Sequence, residues 1–184
     1  VGDKARKMSV YIDDLILMDA INGDEITRIE LGDKFRNRFK NPYAVVHRGD
    51  LHGVFLNACK ENNLIEMSTN TNIISYEQYS DGVFAISDDG NKINGIALIG
   101  AEGLWSKIRA QLVGDGPPKV SGHTTYRSVI PIDQMPEELR WNAATLWAGP
   151  KCHIVHYPIH GGKSFNLVVT YHNDALEPVA GKKV

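Results

Sequence analysis

The sequence predicts an α/β fold, and two features carry that prediction. The first is a strand–turn–helix unit in residues 93–109, where a short apolar run meets two glycines and then a helical segment. The second is a series of alternating polar and apolar runs separated by Asn-Gly and Asp-Gly pairs, which is typical of antiparallel strands. At 184 residues the chain is long enough to bury a sizeable core.

Composition narrows the class of partner. The chain has 20 Lys and Arg against 22 Asp and Glu, so we expect no nucleic acid and no membrane surface as a partner. No apolar run approaches the roughly 18 residues of a membrane-spanning helix, and no secretory signal is visible. Two cysteines, Cys59 and Cys152, do not make a disulfide framework, so we expect a cytoplasmic location.

The first third of the chain predicts a hairpin, a loop, a short strand and a helix. Residues 9–19 and 25–31 flank the turn signal Asn22-Gly23. Residues 32–40 are charged and predict a loop, and residues 43–47 predict a short strand. Asp50 is the expected cap of a helix running to residue 62. The predicted buried face of that helix consists of Leu51, Val54, Phe55 and Ala58.

The remaining elements are predicted mainly as strands. Residues 64–68 predict a strand, and residues 71–79, 83–88 and 92–99 predict a three-stranded meander with tight turns. A helix is predicted over residues 105–112. The Gly-Pro-Pro segment within 115–119 is the best boundary in the chain. Further strands are expected at residues 124–132, 145–147, 152–157 and 164–171.

The strand at residues 152–157 has two chemically different faces. Because side chains alternate along a strand, His153, Val155 and Tyr157 face one way and His156 faces the other. One face therefore presents an imidazole and a phenol on an otherwise apolar strand. A metal site built from His153, His156 and His160 is rejected, because the first two point to opposite faces.

The glycine turn after the apolar run is a candidate ligand site. Gly100 and Gly103 would let the backbone approach a ligand and aim free N–H groups at it. Glu102 lies in the turn, Ser106 can cap the helix or bond a ligand, and Arg109 follows one turn later. Many α/β domains turn this way without a ligand, so the pattern alone leaves both interpretations open.

Three segments resemble the class A flavoprotein aromatic hydroxylases. Residues 100–109 (GAEGLWSKIR) resemble the family's second fingerprint, G-x-D-G-x-x-S-x-x-R, with Glu102 where the family has Asp. Residues 41–52 (NPYAVVHRGDLH) resemble the segment that holds its flavin-binding arginine. Residues 146–171 (LWAGPKCHIVHYPIHGGKSFNLVVTY) resemble the substrate-domain strands of a branch that hydroxylates 3-hydroxybenzoate.

The resemblance implies a two-domain arrangement. It implies part of an FAD/NAD(P)-binding Rossmann-like domain together with a mainly antiparallel β-sheet substrate domain. Residues 1–31 would form a hairpin of the substrate domain, 32–118 part of the FAD-binding domain, and 119–184 part of the substrate domain. The family's G-x-G-x-x-G and downstream Gly-Asp motifs are not in the sequence, so we expect an internal fragment of a larger enzyme.

The resemblance also implies an activity. Members use FAD, NADH or NADPH, and molecular oxygen to hydroxylate a small phenolic acid, and the branch implies conversion of 3-hydroxybenzoate to gentisate. A salicylate hydroxylase is the alternative within the class. A non-catalytic flavoprotein fragment or binding module is the alternative outside it. The fragment alone is expected to be inactive, and a homodimer is left open.

The resemblance implies two sets of site residues. His153 and Tyr157 would contact or activate the phenol; otherwise they are half-buried sheet residues. Arg48 would contact FAD; otherwise it forms a surface ion pair with Asp50. The implied cofactor-binding residues are Arg48, Gly100, Glu102, Gly103, Ser106 and Arg109.

Overall fold

The computed structural model describes residues 1–173, which fall into two compact units. The first contains residues 1–65 and 121–173, and the second contains residues 66–120. The strands are β1 (Val10–Tyr11), β2 (Asp14–Asp19), β3 (Glu25–Glu30), β4 (Ala44–Val45), β5 (Ile73–Tyr79), β6 (Gly82–Ser87), β7 (Lys92–Gly95), β8 (His123–Pro131), β9 (Ala143–Gly149), β10 (Cys152–Ile159) and β11 (Ser164–His172). The helices are α1 (Gly2–Met8), α2 (Asp33–Phe39), α3 (Arg48–Lys60) and α4 (Lys107–Val113).

A six-stranded sheet organises the first unit. Its strand order is β3-β2-β9-β10-β11-β8, and a separate two-stranded ribbon pairs β1 with β4. Every neighbouring pair in the large sheet is antiparallel except β2 and β9, which run parallel. The second unit holds the antiparallel meander β5-β6-β7 and α4. The predicted α/β class and the mainly antiparallel sheet are therefore confirmed.

The predicted domain assignment remains a prediction. Residues 32–65 lie in the first unit and residues 66–118 in the second, so the proposed flavin-domain segment spans both units. Of the proposed substrate-domain segment, residues 174–184 lie outside the described residues. Within residues 1–173, no helix is both long and apolar enough to cross a bilayer.

One face of the large sheet forms the core of the first unit. The register aligns Ile16, Thr145 and His156 side by side across β2, β9 and β10. All three are buried, and Trp141 and Trp147 pack at the same core. This alignment follows from pairing, since directly opposed residues of neighbouring strands share a face.

His156 is the unusual member of that core. Its side chain is 2% exposed, and its ring stacks near Trp147 and Phe165. Neither ring nitrogen has a hydrogen-bond partner within the described part of the chain. Burial therefore lowers the pKa of His156, because the charged form would lose its hydration.

The loop predicted at residues 32–40 is wrong, because α2 forms there. Asp33 lies in its first turn, where an acid is favoured, and Arg36 and Arg38 lie near its end. Phe35 and Phe39 stack at a centroid distance of 4.5 Å, one helical turn apart. The loop prediction weighed the charges and missed this i,i+4 pair.

The strand predicted at residues 64–68 is also absent from the structure. Asn62 Oδ1 accepts a 2.9 Å hydrogen bond from the Leu64 N–H, and the Ile65 N–H donates to the Asn62 carbonyl. These bonds make a local turn that competes with strand pairing. Leu64 is 89% exposed, so its apolar character did not indicate burial.

Helix α3 differs from its prediction at its start and on its buried face. Its N-cap is His47, without a side-chain cap, and Asp50 lies in the first turn facing His47 and His160. Of the four residues expected on the buried face, only Val54 is buried, and Phe55 is exposed.

The last strand of the meander is shorter than predicted. Strand β7 ends at Gly95, the partner of Val83 on β6. Beyond Gly95 the chain has no pairing strand in the described residues, and Ile96 and Ile99 are 94% and 89% exposed. The expected buried strand over residues 93–99 is therefore wrong for its second half.

His156 should make folding stability depend on pH. Its folded-state pKa lies below the unfolded value of about 6.5, so the unfolded chain binds the proton more readily. Stability is complete above about pH 6.5 and falls as the pH drops below it, by at most roughly 1.4 kcal/mol per pH unit until the folded-state pKa is reached. His156→Phe should flatten this dependence in urea unfolding measured across that range.

An exposed histidine provides the control for this experiment. His52→Gln lies on α3 and should keep the wild-type pH dependence. Equal acid sensitivity in His156→Phe and wild type would show that other groups control the acid loss.

Candidate active site

A cavity of about 450 Å³ opens on the sheet face opposite the core. It lies between the sheet and the junction of β4 with α3. Its polar lining consists of His47, Arg48, Arg127, Tyr157 and Asn166. Its apolar lining consists of Val46, Val129 and Ile159. Every residue of this cavity belongs to the first unit.

Strand register brings the sheet side of the cavity together. Tyr157 on β10 pairs with Asn166 on β11, and Asn166 pairs with Val129 on β8. Directly opposed residues share a face, so these three side chains form one row. Arg127 lies two residues before Val129 and therefore projects from the same face.

The cavity is cationic and offers hydrogen-bond donors. Neither Arg48 nor Arg127 forms an ion pair with a carboxylate among residues 1–173, and no acidic residue lines the cavity. The amide nitrogen of Asn166 is buried and has no hydrogen-bond partner there. Buried donors normally have partners, so an unpaired amide beside two guanidinium groups favours a ligand with anionic oxygen atoms.

The two predicted substrate residues have different surroundings. Tyr157 lines the cavity together with Arg48, which the resemblance assigns to cofactor binding. His153 projects from the same face of β10 but pairs with Thr170 and Ala148, and it does not line this cavity. At ~3.3 Å per residue, His153 and Tyr157 lie about 13 Å apart along the strand.

The surface ion pair considered as the alternative role of Arg48 is absent from the described residues. Asp50 instead faces two imidazoles, with His47 Nδ1 at 3.5 Å and His160 Nε2 at 3.4 Å. Arg48 is exposed at the start of α3, and its guanidinium is free to meet a ligand.

Sequence reasoning missed three polar residues of the cavity: His47, Arg127 and Asn166. The available signal was alternation, since Arg127 lies on a predicted strand and Asn166 lies on another. Alternation shows that a residue faces one side of a strand, but the cross-strand register was needed to bring Asn166 opposite Tyr157.

In the second unit, the glycine turn is held by its own side chains. The Glu102 carboxylate accepts hydrogen bonds from the Ser106 hydroxyl at 2.8 Å and the Ile108 N–H at 3.2 Å. The Ser106 bond holds the pKa of the Glu102 carboxyl below its ordinary value. Ser106 Oγ in turn accepts from the Arg109 N–H at 3.0 Å and caps α4.

Both glycines of this turn are required by geometry. A Cβ on Gly100 would lie 2.9 Å from Glu102 Oε2 and 3.0 Å from Ile108 Cγ2. Gly103 has a φ of +79°, which L side chains rarely adopt. The Arg109 guanidinium pairs with Asp115. The predicted helix over residues 105–112 begins at Lys107, after a 3₁₀ turn over Gly103–Trp105.

Known relatives identify the chain, although no family model matches it. It is 53% identical over 184 residues to 3-hydroxybenzoate 6-hydroxylase 1 of Aquipseudomonas alcaligenes, covering all of this chain and 47% of that protein. It is 46% identical over 173 residues to 3-hydroxybenzoate 6-hydroxylase of Polaromonas naphthalenivorans, covering 94% of this chain and 43% of that protein. The chain belongs to the flavoprotein aromatic hydroxylase family. It spans about half the length of these relatives.

Solved structures of flavoprotein hydroxylases share the fold. Klebsiella pneumoniae HpxO, complexed with FAD and uric acid, matches with a TM-score of 0.79 at 20% identity, over 95% of this chain and 43% of that one. A salicylate hydroxylase substrate complex matches with a TM-score of 0.72 at 16% identity, over all of this chain and 47% of that one. At such low identity these likenesses show the fold alone.

Family membership confirms the resemblance predicted from the sequence, while the roles of individual residues remain predictions. In this flavoprotein hydroxylase the fingerprint residues already have local partners: Ser106 caps α4 and Arg109 pairs with Asp115. The carboxylate of Glu102 fills its position by bonding within the turn.

Removing the Ser106 hydroxyl should weaken the second unit. Ser106→Ala removes the α4 cap and the donor to Glu102, and loss of a serine cap costs about 1 kcal/mol. Ser106→Thr keeps a hydroxyl and should retain most of the stability. Urea unfolding followed by Trp fluorescence would measure both variants, and an unchanged Ser106→Ala midpoint would contradict the capping role.

Proposed function

We propose that the intact protein is an FAD-dependent monooxygenase that uses NADH or NADPH and hydroxylates a phenolic acid. The proposed reaction converts 3-hydroxybenzoate to gentisate. The observation that supports this most is the cavity with two unpaired guanidinium groups, a phenol, an unpaired amide and no lining acid. The names of the relatives that cover this chain agree with the proposal.

The chain offers features that fit FAD. Helix α3 has 13 residues, and its N-cap His47 makes no side-chain capping bond, so its first-turn N–H groups are available to an anionic group. Arg48 stands at the same helix end with an unpaired guanidinium. When bound and reduced by NADH or NADPH, FAD supplies the activation of molecular oxygen for transfer to the ring.

We propose that the glycine turn of the second unit also contacts FAD. This proposal rests on the family fingerprint at Gly100, Gly103, Ser106 and Arg109. Glu102 keeps the carboxylate of the fingerprint with one additional methylene. Its bonds to Ser106 and Ile108 hold the turn in a fixed conformation, which suits close approach of a ligand to the glycine backbone.

In the first unit, we propose that Arg127 and Asn166 orient the substrate carboxylate, since both supply donors to one cavity. Tyr157 lies directly opposite Asn166 and would hold the ring or its carboxylate. We retain His153 as the proposed group that activates the phenol, because its imidazole can accept or donate a proton near pH 7. For this role the phenol must extend from the cavity toward His153.

Salicylate hydroxylation is the second candidate within the class. The support is the likeness to a salicylate hydroxylase fold and the carboxylate that both substrates share. Product analysis separates the two reactions, since gentisate and catechol are different compounds. A non-catalytic binding module would consume no NADH with either acid. We also propose a cytoplasmic location, testable by cell fractionation, and a homodimer, testable by sedimentation.

Arg48→Ala should weaken FAD binding in the intact protein and leave the fold in place. A charge-assisted hydrogen bond contributes roughly 1.5–3 kcal/mol, which is about a ten- to hundredfold loss of affinity. The flavin retained after dilution and gel filtration measures this loss. Arg36→Ala on α2 is the matched exposed control and should retain flavin. Equal retention in both variants would remove Arg48 from the cofactor site.

His153→Ala should slow ring hydroxylation more than flavin reduction. General acid–base assistance is typically worth 10²–10⁴-fold, so hydroxylation should fall by about that factor while NADH is still consumed. Stopped-flow absorbance separates the two steps, and product analysis measures the uncoupling. Wild-type hydroxylation in His153→Ala would assign the residue a place in the sheet only.

A further inference from the structure

We propose that His47, Asp50 and His160 form a binding site for a divalent first-row transition metal ion of the Zn²⁺ type. One ligand atom from each residue lies within 4.8 Å of the other two. His47 precedes α3, Asp50 lies in its first turn, and His160 lies in the turn between β10 and β11. The site therefore joins two segments that are more than a hundred residues apart in sequence.

The separations within the cluster suit ligands around one ion. His47 Nδ1 lies 3.5 Å from Asp50 Oδ1, and His160 Nε2 lies 3.4 Å from Asp50 Oδ2. Both exceed the roughly 2.7–3.2 Å of an N–H···O hydrogen bond. Ligands held at about 2.0–2.1 Å from a tetrahedral zinc ion are about 3.3–3.4 Å apart, which is close to these distances.

The donor atoms have the chemistry that such an ion requires. His47 Nδ1 is buried and has no hydrogen-bond partner within the described residues, although polar atoms in that position normally have one. The rings of His47 and His160 lie 4.5 Å apart, centroid to centroid. Two imidazoles and one carboxylate are a common ligand set for divalent transition metals, and they leave a further coordination position open.

Gly49 gives the His47 ring its place in the cluster. A Cβ at position 49 would lie 2.9 Å from His47 Cε1 and 3.2 Å from His47 Nδ1. Only glycine therefore allows the ring to fold over the helix start toward Asp50. His160 has a φ of +53°, which is uncommon for a residue other than glycine and holds its side chain in the turn.

The sequence did not predict this site. It considered His160 only with His153 and His156, which alternate along β10. The structure brings His160 beside residues 47 and 50 instead. Because His47 also lines the cationic cavity, the ion would fix the cavity wall at the start of α3. This role requires no step of the proposed oxidation.

Calorimetric titration of the intact, flavin-loaded protein with ZnCl₂, after chelator treatment and desalting, tests the proposal. We expect one Zn²⁺ per chain, with affinity reduced at least tenfold in His160→Gln and in Asp50→Asn. Gly49→Ala should also reduce affinity, although it removes no donor atom. His52→Gln, an exposed histidine on the same helix, should bind like wild type.

Two further readouts guard against misfolded variants and other histidines. The wild-type Tm should rise with Zn²⁺ concentration, a measurement that needs no substitution. His123→Gln tests the separate His123–His172 pair, whose rings lie 5.0 Å apart. Wild-type binding in His160→Gln, loss of binding in His123→Gln, or no Zn²⁺ binding by the wild type would overturn the proposal.

Discussion

The pairing of β10 between β9 and β11 controls what the first unit can do. With a side-chain period of two, every residue of β10 must face either the packed core or the opposite side. His156 faces the core in line with Ile16 and Thr145, while Tyr157 faces the cavity opposite Asn166. A register shift of one residue would exchange these faces, so core packing also fixes the cavity wall.

The two faces treat polar groups in opposite ways. On the core side, His156 is buried without a partner, and the cost of burial appears as a lowered pKa. On the cavity side, two guanidinium groups and an amide donor have no acidic neighbour in the lining. Partly desolvated cations attract an anion more strongly than exposed ones, because little water competes for them. The cavity side is therefore the place for an acidic ligand.

Much of the local structure could be predicted from the sequence, since it depends on local patterns. Turn residues and alternation were sufficient for the hairpins and the meander, and the family motif indicated Arg48 and the turn around Ser106. Alternation also placed His153 and Tyr157 on one face of their strand. These signals lie within a few residues of each other and need no knowledge of tertiary contacts.

The rest depends on contacts between distant segments. Arg127 and Asn166 join Tyr157 only through the register of three strands, and His160 meets Asp50 across more than a hundred residues. Apolar character misled where no partner strand is present, as at the exposed Ile96 and Ile99. Helix α2 was missed because charge was weighed above the Phe35–Phe39 pair.

The central claim is that the cationic cavity binds the carboxylate of a phenolic acid. The most direct measurement is a flavin-absorbance titration of the intact protein with 3-hydroxybenzoate and with 3-hydroxybenzyl alcohol, which lacks the carboxylate. The account predicts that the acid binds roughly ten- to a hundredfold more tightly, as expected for a charge-assisted contact. It also predicts that Arg127→Gln removes most of this difference. Equal affinity for the two compounds, or an unchanged preference in Arg127→Gln, would contradict the account.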